Sequence, residues 1–182
     1  MKAFSVAGTI LILVCGVSLV PAGQGSRGAH QDSIHALLDN HEAIERSVKV
    51  LDDGVETVTT SEDPEVSETI RLHVRQMEQR MKSGHGMRRW DPLFVELFRN
   101  HDKVRMEIED IPGGVRVREM SDDPDVALLI RQHALRGVSE FVEQGHSRAH
   151  RETPLPEEYA GAPKPNPRGG RGPCAWRRAD VQ

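Results

Sequence analysis

The chain has 182 residues, 37% of them hydrophobic and 29% charged, with a formal net charge of −4. This suits one domain with tails, and with only 4% aromatics its core must be built from Val, Ile, Leu and Met. Residues 1–29 and 151–182 carry +2 each, so residues 30–150 carry −8. An acidic body whose largest basic cluster is Arg88–Arg89 excludes a nucleic-acid groove.

Lys2 precedes an apolar run from Ala3 to Val20, followed by Pro21, and Val20 and Ala22 fit the small-residue rule before a cleavage point. Residues 1–22 therefore read as a secretory signal peptide. The run is short for a membrane span, which needs roughly 20 apolar residues. The expectation is an exported protein, periplasmic or extracellular, with no transmembrane span once mature. Cleavage would remove Cys15 and leave Cys174 alone, so no intramolecular disulfide is expected, and no C-x-x-C occurs. Residues 23–30, rich in Gly and Ser, read as a flexible leader.

Residues 31–90 and 91–151 form an internal repeat with an ungapped offset of 60. Asn40–His41 recurs as Asn100–His101, and Gly54–Val55 as Gly114–Val115. Ser61, Asp63, Pro64 and Val66 recur as Ser121, Asp123, Pro124 and Val126. Ile70, Arg71 and His73 recur as Ile130, Arg131 and His133.

Each copy reads as helix, β-hairpin, helix. Asp32 or Ser33 is expected to cap the first helix, and Asp91–Pro92 opens its counterpart. Ile44, Val48 and Val50 mark one strand, Asp52-Asp53-Gly54 a turn, and Val55, Thr57 and Thr59 the returning strand. In copy two, Val104, Met106 and Ile108 alternate with charged residues, Ile111-Pro112-Gly113-Gly114 turns the chain, and Val115 and Val117 return it. Asp63–Pro64 and Asp123–Pro124 then start helices with apolar stripes through Val66, Ile70, His73, Met77 and Met81, and through Val126, Ile130, His133 and Phe141. The predicted fold class is α+β: a four-stranded antiparallel sheet covered by helices on one face, with a pseudo-two-fold axis between the copies. The other face, with Arg105, Glu107, Glu109, Arg116 and Arg118, reads as a solvated surface. Residues 152–182, rich in Pro, Gly and Arg, read as a disordered tail.

His73 and His133 hold equivalent places on the two stripes. If the axis brings their rings together, they are candidate cofactor-binding residues for haem or a transition metal. The plain alternative is two buried imidazoles bonded to backbone carbonyls. His41 and His101 are a second symmetric pair, candidate metal ligands or helix terminators. Met77, Met81, His85 and Met87 combine thioethers with an imidazole, donors that suit copper(I). Against that, copy two carries Gly137, Phe141, Gly145 and Ser147 at the matching positions, which points to core filling. His146 and His150, one helical turn apart, form a weak exposed metal site or solvated residues at a helix end. His41-Glu42-Ala43-Ile44-Glu45 begins like the zinc-protease motif but lacks its second histidine, and no P-loop, G-x-S-x-G or G-x-G-x-x-G occurs.

The strings Ser121-Asp122-Asp123-Pro124-Asp125-Val126, with Ile130-Arg131 and His133, and His85-Gly86-Met87-Arg88-Arg89-Trp90-Asp91-Pro92-Leu93-Phe94 resemble a family of uncharacterised exported bacterial proteins. The resemblance covers the repeat region and implies an exported bacterial location without an established activity. The expectation for function is a non-enzymatic exported binding domain taking haem or a transition metal at His73 and His133. One alternative is a metal-free cell-envelope module with a protein partner, docking on the charged sheet face or the tail. Another is an unrecognised enzyme, which would need a deep pocket.

Overall fold

The computed structural model of the chain describes residues 26–161. Residues 1–22, expected to be a signal peptide, Cys15, Cys174 and the tail beyond residue 161 lie outside the described residues.

Copy one runs α1 (Ser26–Asp39), β1 (Glu45–Leu51), β2 (Gly54–Thr60) and α2 (Pro64–Ser83). Copy two runs α3 (Pro92–Arg99), β3 (Arg105–Ile111), β4 (Gly114–Met120) and α4 (Pro124–Gln132). It then continues through a π-helical turn (His133–Val138) into α5 (Ser139–Gln144) and the short α6 (His146–Ala149). The strands form one antiparallel sheet in the order β1-β2-β4-β3, with helices on one face. Among the described residues no helix is long and apolar enough to cross a membrane.

The asparagine-capped helix ends, the hairpins and the aspartate N-caps follow the sequence pattern. Asn40 and Asn100 donate from Nδ2 to the carbonyls of Ala36 and Glu96, closing α1 and α3. Asp63, Asp91 and Asp123 accept from the free N–H groups that begin α2, α3 and α4, each ahead of a proline. Two readings are corrected. α1 begins at Ser26, not near residue 31, so residues 26–30 of the supposed leader are helical. Ser33 is no cap: it is buried inside α1 and donates to Gln76 Oε1 on α2 at 2.8 Å.

The pseudo-two-fold is visible in the strand register. β2 pairs with β4 so that Thr57 faces Val117, its own repeat equivalent, and every other pair is arranged symmetrically about that point. Both hairpins share one register, with Glu45 opposite Thr60 and Arg105 opposite Met120. Each copy's long helix packs on the other copy's hairpin. Val66 and Ile70 of α2 lie on Val115 and Val117, with Met106 and Ile108 beside them. Val126, Leu129 and Ile130 of α4 lie on Val55, with Val48 beside it.

Polar clasps repeat the exchange. Arg71 donates to the carbonyl of Ile111 at the far hairpin tip, and Arg131 to those of Leu51 and Asp52. Ser61 N–H donates to the Gly113 carbonyl, and Ser121 N–H to that of Asp53. The uncovered face carries cross-strand pairs, Arg116 with Glu109 and Arg118 with Glu107, each worth at most about 1 kcal/mol in solvent.

The predicted disordered tail is also corrected in part. Thr153 is fully buried and donates from both N–H and Oγ1 to Asp91 Oδ2; Gln132 donates to the Pro154 carbonyl. Leu155 and Tyr159 join the core, and the Tyr159 hydroxyl donates to Glu96. A proline-rich composition lowered the expectation of order, but one threonine and one tyrosine with buried carboxylate partners are enough to pin this stretch. Arg88 belongs to the same seam. It adopts a left-handed φ of 47°, uncommon for a side-chain-bearing residue. Its guanidinium lies near the rings of Trp90, Phe94 and Phe141, and it bonds Asp91 and the carbonyls of Ala149 and Arg151. The string from Met87 to Phe94 therefore fastens the end of copy two to the start of α3.

Gly54 and Gly114 are dictated by the β2–β4 approach: a Cβ on Gly54 would collide with the Glu119 carbonyl, and one on Gly114 with that of Thr59. Gly54→Ala and Gly114→Ala should each lower the unfolding free energy by about 2–3 kcal/mol, read from urea midpoints at unchanged slope. A loss below about 0.5 kcal/mol in both would show that the strands can separate at that point without penalty.

Candidate functional site

A duplicated fold offers an internal control, since a residue that breaks the symmetry needs its own reason. Position 106 is Met, packed against the core beneath α2; its equivalent in copy one is Arg46. Position 119 is Glu, and its equivalent is Thr59. The π-helical turn at His133–Val138 has no counterpart in α2, which is α-helical throughout. All three departures fall under the copy-two helix.

The π-turn also revises the repeat itself. It holds one additional residue, so the offset becomes 61 beyond it. Gly84 closes α2 with φ 66° and Gly145 closes α5 with φ 55°. A Cβ on Gly84 would strike the His101 ring, and one on Gly145 the His41 ring. Gly84 and Gly145 are thus equivalent, which pairs Met77 with Val138, Met81 with Val142 and His85 with His146. The ungapped pairing of those residues with Gly137, Phe141 and Gly145 is corrected accordingly.

The π-turn brings Ser139 to Arg46. Both the N–H and the hydroxyl of Ser139 donate to the Ala134 carbonyl, and the hydroxyl oxygen accepts from Arg46 Nε at 3.4 Å. Arg46 Nη1 donates to Thr59 Oγ1 at 2.7 Å. Nη2 has no acceptor among the described residues. Burial lowers the Arg46 pKa to about 10, only partly opposed by the charge of Glu119. Glu119 Oε2 lies 3.7 Å from His133 Nδ1. Burial pushes the Glu119 carboxyl up, but His133 and Arg46 outweigh it and hold it below the ordinary glutamate range. The His133 ring meets Phe94 edge-on, at 5.3 Å between centroids.

Arg46 faces a cleft of about 370 Å³ between the start of β1 in copy one and α5 in copy two. Arg46, Ser139, His41, Ile44 and Val142 line it as half-buried residues, and the exposed Glu42 and Glu143 stand at its mouth. Such a volume matches small-molecule sites, and a guanidinium with unused donors in its lining is suited to an anion. Copy two offers Met106 where copy one offers Arg46, so the equivalent place lacks the cation.

Of the histidines named from sequence, His41 lines this cleft and the others fall elsewhere. His133 pairs with Glu119. His73 is half-buried on α2, and the repeat equivalent of its partner's glutamate is Thr59, so the two environments differ chemically. His41 Nδ1 lies 2.9 Å from the Val142 carbonyl, and His41 and His101 cover the ends of the other copy's helices, at separate places. Met81 packs against the core, whereas His85 is exposed, with Nδ1 2.7 Å from Ser83 Oγ; Met77 and Met87 are half-buried. His146 Nε2 contacts Asp39 Oδ1 at 2.7 Å with His35 alongside, while His150 is exposed. Among the described residues no group of three or more His, Cys, Asp and Glu side chains is placed to hold a metal ion. Sequence reasoning missed Arg46, Glu119 and Ser139. The usable signal was Arg46 against Met106, a cation at an inward-facing strand position whose repeat equivalent is apolar.

No protein-family model, no curated protein and no solved structure matches this chain.

Arg46→Met with Glu119→Thr gives each copy the other's residues. It should leave stability unchanged or raise it by up to about 3 kcal/mol, since apolar replacement of buried charge is often stabilising. The variant should also flatten the acid limb. Because the folded pKa of Glu119 is depressed, its contribution is complete above the unfolded value and is lost as pH falls through the folded one. Wild type should therefore lose stability more steeply between about pH 5 and 3, measured by urea unfolding across pH. A variant that loses more than about 2 kcal/mol at neutral pH would make these groups structural.

Proposed function

We propose that this protein is an exported, non-enzymatic domain that binds a small carboxylate-bearing molecule in the cleft between its two copies, with Arg46 as the anchor. The observation that carries the reading is Arg46 itself, a half-buried cation with unused donors lining a cleft, where the duplicated copy has methionine. A partly buried charge of this kind weakens the fold unless something is gained by keeping it. Export rests on Lys2, the apolar run to Val20 and the small residues before position 23. A periplasmic or secreted form lighter by residues 1–22 checks it; an unprocessed mass opposes it.

Binding is tested by calorimetry and thermal shift with small carboxylic and amino acids. Members that fit should raise Tm at millimolar concentration, and Arg46→Met should abolish the rise while remaining folded. A panel without a single responder, or an Arg46→Met protein that responds as wild type does, overturns the reading.

A second reading retains His73 and His133 as ligands for haem or a transition metal. It is favoured by the Glu119 carboxylate 3.7 Å from the buried His133 Nδ1, where a closure of less than about 1 Å would make the carboxylate–histidine hydrogen bond that orients metal-ligating imidazoles. Metal analysis and the absorption spectrum of the purified protein, with His133→Ala as control, decide it; no bound or titratable group removes it.

A further inference from the structure

The cleft is not uniformly basic. Its lining joins a half-buried cation, Arg46, to the half-buried apolar side chains of Ile44 and Val142 and to two exposed carboxylates, Glu42 and Glu143, whose exposure puts them at its mouth. The two acidic groups come from different copies, Glu42 from the 3-10 turn before β1 and Glu143 from α5. A ligand with negative charge at both ends would meet repulsion at the mouth, so dicarboxylates, phosphate and larger polyanions are disfavoured. A plain amine would gain the mouth but leave Arg46 without an acceptor. A molecule with a carboxylate at one end and an ammonium at the other satisfies both, with its carbon chain against the apolar walls.

We infer that the cleft takes a zwitterionic amino acid, its carboxylate on Arg46 and its ammonium between Glu42 and Glu143. The inference rests on the anchoring role proposed for Arg46 and adds the class of ligand. Ser139 supports it indirectly. Its hydroxyl hydrogen is committed to the Ala134 carbonyl and its oxygen to Arg46 Nε, so it positions the guanidinium without using Nη2.

The test is calorimetry on the mature protein with valine, 4-aminobutyrate and 5-aminovalerate, each beside its N-acetyl derivative. The free amino acid that fits should bind at least ten-fold tighter than its N-acetyl form. Glu42→Gln with Glu143→Gln, both at exposed positions, should erase that difference while the N-acetyl form binds as before or better. Equal affinity of the two forms for wild type, or an undiminished preference in the double variant, overturns the zwitterion inference and leaves Arg46 as a carboxylate anchor. Binding by neither form, with Tm unmoved, takes the anchor down as well. The three chain lengths separate α-amino acids from those with more distant charges.

Discussion

The antiparallel seam between β2 and β4 makes one domain out of two copies. Either hairpin alone would expose an apolar face and an unpaired edge, and a two-stranded ribbon is marginal in water. Pairing through Thr57 and Val117 joins the hairpins into a four-stranded sheet and places each long helix over the opposite hairpin. The Arg71 and Arg131 clasps, and the His41 and His101 contacts at helix ends, all cross the same seam. Separating the copies would therefore break both apolar clusters at once, which is the physical basis for cooperative folding of the repeat.

Symmetry of this kind also separates residues that the shared architecture explains from those that need a reason of their own. Asn40 and Asn100, Asp63 and Asp123, Gly54 and Gly114, and Arg71 and Arg131 do the same work twice, and each is explained by capping, close approach or clasping. Arg46, Glu119 and the π-turn do not recur. One extra residue in the copy-two helix widens a single turn, turns Ser139 toward Arg46, and leaves α5 facing the start of β1 across a cleft. The cation then replaces apolar packing where copy two has Met106.

The other buried charges are explained differently. Asp91 is fully buried but receives Arg88, Thr153 and the N–H of Leu93, and Arg148 is enclosed by Glu140, Thr153 and backbone carbonyls. These groups are satisfied within the protein and fasten its C-terminal segment. Arg46 retains unused donors and faces a cleft, and that difference directs attention to it over the more deeply buried arginine.

Local rules determined much of the architecture. Alternation at Val104, Met106 and Ile108, the Asp–Pro helix starts and the repeat offset lead to hairpins, helices and an antiparallel sheet, because these signals depend on a few neighbouring residues. The order of Thr153 and Tyr159 was not legible, since their partners Asp91 and Glu96 are some 62–63 residues away. Nor was the cleft. A π-turn reads as ordinary helix in sequence, and whether Arg46 faces open solvent or a recess depends on which helix covers its strand. Only the exchange of helices between copies, fixed by the β2–β4 register, decided that Ser139 and Glu143 would meet Arg46 and Glu42.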